Sequence, residues 1–244
     1  MRTIRSFIDA PLAIGLEMLL PEQSSNHIMR VLRLQTGDTF HAFNGDGNDY
    51  VAEIIGVEKK GAKICIVSTI MVRNESPLRI HLYQSIARGD KMDWILQKAT
   101  ELGVSAFTPI VSDRTEVKLD SERSDKKFNH WQGVIRSACE QSGRACIPYI
   151  HSPIAINQLS INLKTAQAFY LEPNAKLCIK EIPIQVEQEL YLAIGPEGGF
   201  SERDTRLLET AGFQGLRIGP RILRTETAGL AVIAALQSQY GDWA

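Results

Sequence analysis

Two hydrophobic rhythms divide the chain. In the stretch Thr39 to Met71, short runs of alternating or β-branched residues (Thr39–Phe43, Tyr50–Val57 and Lys63–Met71) are separated by Asn44-Gly45-Asp46-Gly47-Asn48 and Lys59-Lys60-Gly61. Such runs, bounded by Asn-Gly and Asp-Gly, predict β-hairpins, because those dipeptides supply the positive φ that tight turns need. Together they suggest a small β-barrel. Ahead of it, Ser24 or Ser25 is placed to cap a short helix through His27-Ile28-Met29-Arg30-Val31 that ends before Gly37-Asp38. The polar stretch Val72–Pro77 breaks both rhythms and reads as a linker, which sets two domains at 1–72 and 73–244.

Beyond the linker, strand and helix patterns alternate. Arg79–Ala87 and Ser105–Val111 read as strands around a helix from about Asp90, with Ile95, Ala99 and Leu102 on one face and Gly103 as its stop. A longer helix from about Asp125 to Ser142 repeats Phe128, Trp131, Ile135 and Ala138 at helical spacing, a core stripe. Strands are expected at Ala166–Leu171, Glu189–Ile194 and Gln214–Ile218, with helices between them. Ser201 and Asp204 form a capping box for one of these helices, which Gly212 closes. The last helix, Ala228–Gln239, is small and apolar on most sides and suits either deep burial or a partner subunit. The whole is an α/β pattern with a mostly parallel sheet.

Ligands of such sheets bind beyond the carboxyl ends of the strands. That rule selects Leu171-Glu172-Pro173, Gly195-Pro196-Glu197-Gly198-Gly199-Phe200 and the run Gly219–Thr227. In the middle loop Pro196 lacks an N–H, Glu197 repels anions, and no lysine follows as a phosphate-binding loop of the Walker type requires. A neutral or cationic ligand fits it better than a phosphate.

A net charge of −1 over 244 residues excludes a broadly basic coat for nucleic acid, yet Arg217, Arg221 and Arg224 cluster beside the third loop. No apolar run approaches membrane length, and Met1–Arg5 lacks the apolar core of a signal peptide, so a soluble cytoplasmic protein is expected. Cys65, Cys139, Cys146 and Cys178 form no Cys-x-x-Cys pair and the five histidines are scattered, which predicts free thiols and no metal.

Four stretches carry a family likeness: His27-Ile28-Met29-Arg30-Val31-Leu32-Arg33, the run Lys91–Gly103, Gly195–Ser201, and Leu223-Arg224-Thr225-Glu226-Thr227-Ala228. A fifth is Glu140-Gln141-Ser142-Gly143-Arg144 followed by Pro148. In order and spacing the chain resembles the bacterial 16S rRNA (uracil-N3) methyltransferases of the SPOUT class, which use S-adenosylmethionine. The resemblance implies an N-terminal PUA-like β-barrel that binds RNA, a C-terminal SPOUT α/β domain threaded into a trefoil knot, and a homodimer acting on the small ribosomal subunit.

Carried over by position, it assigns the cofactor to Leu171, Glu172, Gly195, Pro196, Glu197, Gly198, Gly199, Ile218, Gly219, Ile222, Leu223, Arg224, Thr225 and Ala228. Methylating uracil N3 also requires loss of its proton. Glu197 or Glu226 could accept it, or Arg224 could favour the ionised base. Arg2, Arg5, Arg30, Arg33 and Arg221 are the candidate RNA contacts. Two alternatives remain open at this point: another SPOUT enzyme methylating a ribose 2′-hydroxyl or a tRNA base, and an RNA-binding relative without catalysis.

Overall fold

The computed structural model describes residues 3–58, 61–116 and 121–243, and within them all side chains except those of Gln23 and residues 121–124. Arg2 and the Lys59-Lys60 turn lie outside the described residues. Contacts group the chain into two units, Met1–Glu75 with Arg136–Ile147, and Ser76–Ile135 with Pro148–Ala244.

The first unit is built from β1 (Arg5–Phe7), β2 (Glu17–Leu19), α1 (Glu22–Asn26), β3 (Thr39–Phe43), β4 (Asn48–Glu58) and β5 (Gly61–Met71). These strands form one mixed sheet in the order β1-β3-β4-β5-β2, with β1 parallel to β3 and the other pairs antiparallel. The alternation that predicted the strands is visible in their burial: Ala52, Ile54, Ala62, Ile64 and Ile66 point into one core with Ile28 and Phe40. The β3–β4 turn uses Gly45 and Gly47 at φ +97° and +92°, as its sequence requires.

The expected capped helix is different in detail. It starts at Glu22, before either serine, and runs into a π-turn over His27–Val31, closed by Leu32 N–H donating to His27 O at 3.0 Å. Ser25 caps nothing. Its hydroxyl accepts from the Ala62 N–H at 2.8 Å, so a side chain that sequence alone assigns to the helix instead ties that helix to β5.

Arg5, a candidate RNA contact, makes its hydrogen bonds inside the first unit. Its guanidinium is only 6% exposed and binds Asp49 through two nitrogens, at 2.6 and 3.1 Å, while donating to the Cys139 and Arg144 carbonyls at 2.7 and 3.1 Å. These bonds pin residues 136–147 to the sheet. The Phe7 N–H adds to that seam by donating to Glu140 at 2.9 Å.

The second unit contains β6 (Arg79–Ser85), α2 (Lys91–Glu101), β7 (Ala106–Val111), α3 (Ser121–Ser142, grouping with the first unit from Arg136 on), β8 (Tyr149–Ile150), β9 (Ile154–Ala155), β10 (Ala166–Leu171), β11 (Leu177–Cys178), β12 (Glu189–Ile194), α4 (Glu202–Thr210), β13 (Gln214–Arg217) and α5 (Thr225–Tyr240). Every strand pair is parallel, in the order β11-β13-β10-β12-β6-β7-β8, with β9 also on β7. The capping box is present: Ser201 Oγ accepts from Asp204 N–H at 3.0 Å and Asp204 accepts from Ser201 N–H at 2.9 Å.

Two helix limits shift, α3 starting at Ser121 instead of Asp125 and α5 at Thr225 instead of Ala228. Between β10 and β12 no α-helix forms. Pro173 and Pro183 interrupt that segment, which holds only β11 and a 3-10 turn at Ile179–Glu181.

One face of the parallel sheet carries an aromatic stack, His81 on Tyr83 at 4.6 Å and on His151 at 5.1 Å between ring centres. Burial first, and His151 second, lower the His81 pKa from 6.5 to about 3. The unfolded chain therefore takes up this proton before the folded one does, and stability drains as pH falls from 6.5 toward about 3. Denaturation of wild type and His81→Gln over that range is expected to show the stability gap between them narrowing with acid; a constant gap would refute it.

Candidate functional site

Four strand ends converge at one edge of the second unit's sheet: β10, β12 and β13, as the sequence indicated, and β6. The β12 loop folds back through Gly199 N–H donating to Pro196 O at 2.9 Å. Its three glycines do different things. Gly199 supplies a φ of +67°. At Gly198 a Cβ would press on Arg114 Cδ at 3.3 Å, and at Gly195 it would press on the backbone of Gly199 and Phe200 at 3.1–3.3 Å.

A single hydroxyl joins this loop to α5. Thr225 Oγ1 donates to the Gly195 carbonyl at 2.6 Å and accepts from Gln84 Nε2 of β6 at 3.0 Å. Gln84 is 1% exposed, and its own Oε1 has no hydrogen-bond partner among the described residues. The β10 loop is tied to β13 by Glu172 N–H donating to Leu216 O at 3.0 Å.

These loops enclose a cavity of about 410 Å³, in the size range of small-molecule sites. Of the residues carried over for the cofactor, Leu171, Glu172, Gly195, Pro196, Glu197, Gly198, Gly199, Ile218, Gly219, Ile222, Leu223, Thr225 and Ala228 line it. Arg224 does not; it is exposed at the start of α5, and its side chain has no hydrogen bond or ion pair among the described residues. The lining also includes Arg221, which the sequence placed among the RNA contacts, Pro173 and Phe200 from the loops that the strand-end rule selected, and Arg114, Ile194 and Leu216, which it missed. Arg114 follows β7, whose carboxyl end the strand-end rule could also have selected. Its Nη1 donates to Gly198 O at 2.6 Å.

Charge gathers at the cavity mouth. Lys91 Nζ lies 3.1 Å from Glu197 and 3.6 Å from Glu226. Arg88 pairs with Glu116. Arg30 and Arg33 are exposed on the first unit, Arg33 in a left-handed conformation at φ +58°. Among the described residues no group of three or more His, Cys, Asp or Glu could hold a metal, and no helix is long and apolar enough to cross a membrane.

A cradle of main-chain groups, glycines and aliphatic side chains, with few charges, suits a ligand that carries its own cation. A family model described as an RNA methyltransferase domain matches residues 74–237, and one described as an RNA methyltransferase PUA domain matches residues 20–67. Fold and site thus define a SPOUT-class RNA methyltransferase domain with a PUA domain.

The chain is 34% identical over 242 residues to ribosomal RNA small subunit methyltransferase E of Buchnera aphidicola, covering 99% of this chain and 98% of the relative. It is 33% identical to that of Bacillus subtilis, covering 88% and 87%. Two solved structures are similar throughout. A methyltransferase from Legionella pneumophila with bound cofactor SAM has a TM-score of 0.94 at 38% identity, covering 99% of this chain and 100% of that one. Ribosomal RNA small subunit methyltransferase E from Neisseria gonorrhoeae, bound to S-adenosylmethionine, has a TM-score of 0.92 at 36% identity, covering both chains fully. The chain belongs to the ribosomal RNA small subunit methyltransferase E family.

Proposed function

We propose that this chain transfers a methyl group from S-adenosylmethionine to uracil N3 of one uridine of 16S rRNA, within the assembled small subunit and in the cytoplasm. The observation that carries this is the cavity at the strand ends, lined by nearly all the residues that the family resemblance assigns to the cofactor. When bound, S-adenosylmethionine supplies a methyl group on a sulfonium whose leaving group departs neutral, so alignment matters more than charge stabilisation.

The protein's part follows from its loops. Gly195, Gly198 and Gly199 bring main chain close to the ligand, Leu171, Ile218 and Leu223 give it an aliphatic wall, and Glu197 brings a carboxylate that Lys91 links to Glu226. Arg224, exposed and uncommitted, is placed to grip the RNA or to favour the ionised uracil. Ile222 is 84% exposed beside the cavity, and Ala231, Ala234 and Ala235 of α5 are only partly buried. Both features support a second copy closing the site, as the homodimer implied by the resemblance requires.

The test is incubation of the dimer, verified by sedimentation, with labelled S-adenosylmethionine and small subunits, followed by nucleoside analysis. Methyl on uracil N3 is expected; methyl on ribose or another base refutes the assignment, and equal rates on naked rRNA refute the preference for the assembled particle. In the same assay Arg224→Ala is expected to lower turnover by about tenfold to a hundredfold, the worth of a charge-assisted contact. Its cofactor affinity should stay near wild type, since Arg224 is outside the lining. A wild-type rate would remove Arg224 from the mechanism.

A further inference from the structure

Two carboxylates flank one lysine, and they are not equivalent: Glu197 lines the cavity and Glu226 does not. Glu197 Oε1 accepts from Lys91 Nζ at 3.1 Å and from the Arg88 N–H at 3.2 Å. Burial pushes its carboxyl upward, but its own backbone N–H, Lys91 and the Arg88 N–H together outweigh that and hold it below the usual value. With two donors on Oε1 and its carboxyl held below the usual value, Glu197 is a poorer acceptor for a further proton than an unpaired carboxylate.

Glu226, in the first turn of α5, presents the opposite case. Its Oε2 is sealed from solvent with no hydrogen-bond partner among the described residues, and Lys91 at 3.6 Å is beyond normal hydrogen-bond length. The charged group within 4 Å of it among the described residues is Lys91 on α2, which also holds Glu197; Arg224 precedes it in the chain. Its neighbour Thr225 lines the cavity on one side and Ala228 on the other. A buried acceptor without a donor is costly to keep, and one carried between the cavity-lining Thr225 and Ala228 is available to a proton that arrives with the substrate.

We infer that Lys91 is a positioning residue that commits Glu197 to an ion pair and leaves Glu226 as the acceptor of the uracil N3 proton, an assignment that depends on the uracil-N3 activity proposed above. The N3–H bond breaks and its proton forms an O–H bond on Glu226 Oε2. The electron pair left on N3 forms the new bond to the methyl carbon, and the pair of the broken carbon–sulfur bond stays on sulfur. Glu226, with 18% of its side chain exposed, then returns the proton to water.

The experiment uses the full-length enzyme and reconstituted small subunits carrying either uridine or 5-fluorouridine, whose N3–H is more acidic. Glu226→Gln is expected to slow single-turnover methylation by about a hundredfold or more, the scale of general-base catalysis. Calorimetry should find its S-adenosylmethionine affinity unchanged. Its residual rate should climb with pH and recover on 5-fluorouridine subunits, a rescue that a merely structural defect would not show. In the cofactor-free protein, Lys91→Met should raise the midpoint at which the Glu197 side-chain carbon titrates by NMR.

If Glu226→Gln runs at the wild-type rate, or if Glu197→Gln is the variant that is slowed and then rescued by fluorination, the assignment of the base is overturned. An unmoved Glu197 titration in Lys91→Met overturns the role of Lys91. Either result leaves wild-type N3 methylation intact, whereas its absence in the wild type would overturn the underlying activity itself.

Discussion

Gly195→Val is expected to weaken S-adenosylmethionine binding by about a hundredfold, and Gly195→Ala by about tenfold, the range that overpacking of ~1–3 kcal/mol corresponds to in affinity. A Cβ at this position would lie 3.1 Å from Phe200 N, 3.2 Å from Gly199 C and 3.3 Å from Gly199 Cα. These are main-chain atoms, so no rotamer change can relieve the contact. The loop is closed by the Gly199-to-Pro196 hydrogen bond and held from outside by Arg114 on Gly198 O, which leaves movement into the cavity as its way to yield. Because the strain is confined to a loop, the melting temperature should change little while calorimetric affinity falls. Wild-type affinity in both variants would show that the glycine is not needed for close approach.

Arg5→Met is expected to destabilise the first unit by about 3–5 kcal/mol, the usual result of removing one partner from a buried ion pair. Asp49, only 9% exposed, would keep His41 at 3.0 Å as its remaining charged neighbour, itself charged only when protonated. The carbonyls of Cys139 and Arg144 would each lose the donor that Arg5 supplies. Native-state hydrogen exchange of the β1 and β3 amides is the appropriate measure, since a chain of two units need not unfold in one step. If exchange is unchanged while subunit binding weakens, Arg5 is an RNA contact after all.

The same residue shows why part of the molecule was hidden in the sequence. Arg5 reads like Arg30 or Arg33, an isolated charge in a polar context, and its partners lie 44 to 139 residues away. Nothing local announces such a pairing. The strand-end loops were legible for the opposite reason: strand, glycine, proline and helix cap are all local signals, and the rule for parallel sheets joins loops that are distant in sequence. Gln84, Lys91 and Arg114 escaped because each is a single ordinary side chain reaching the site from β6, α2 or the turn after β7. The start of α5 was misjudged because Arg224 precedes it without a capping side chain, so small residues from Ala228 on gave the first visible signal.

The hydroxyl of Thr225 makes the cavity an all-or-none device. Gly195 lies on one loop, Thr225 opens the helix that borders the other, and Gln84 holds the Thr225 hydroxyl from within the sheet, so a molecule that wedges the loops apart must break the bond between them. The link between the two loops thus rests on a buried glutamine that lies outside the cavity lining.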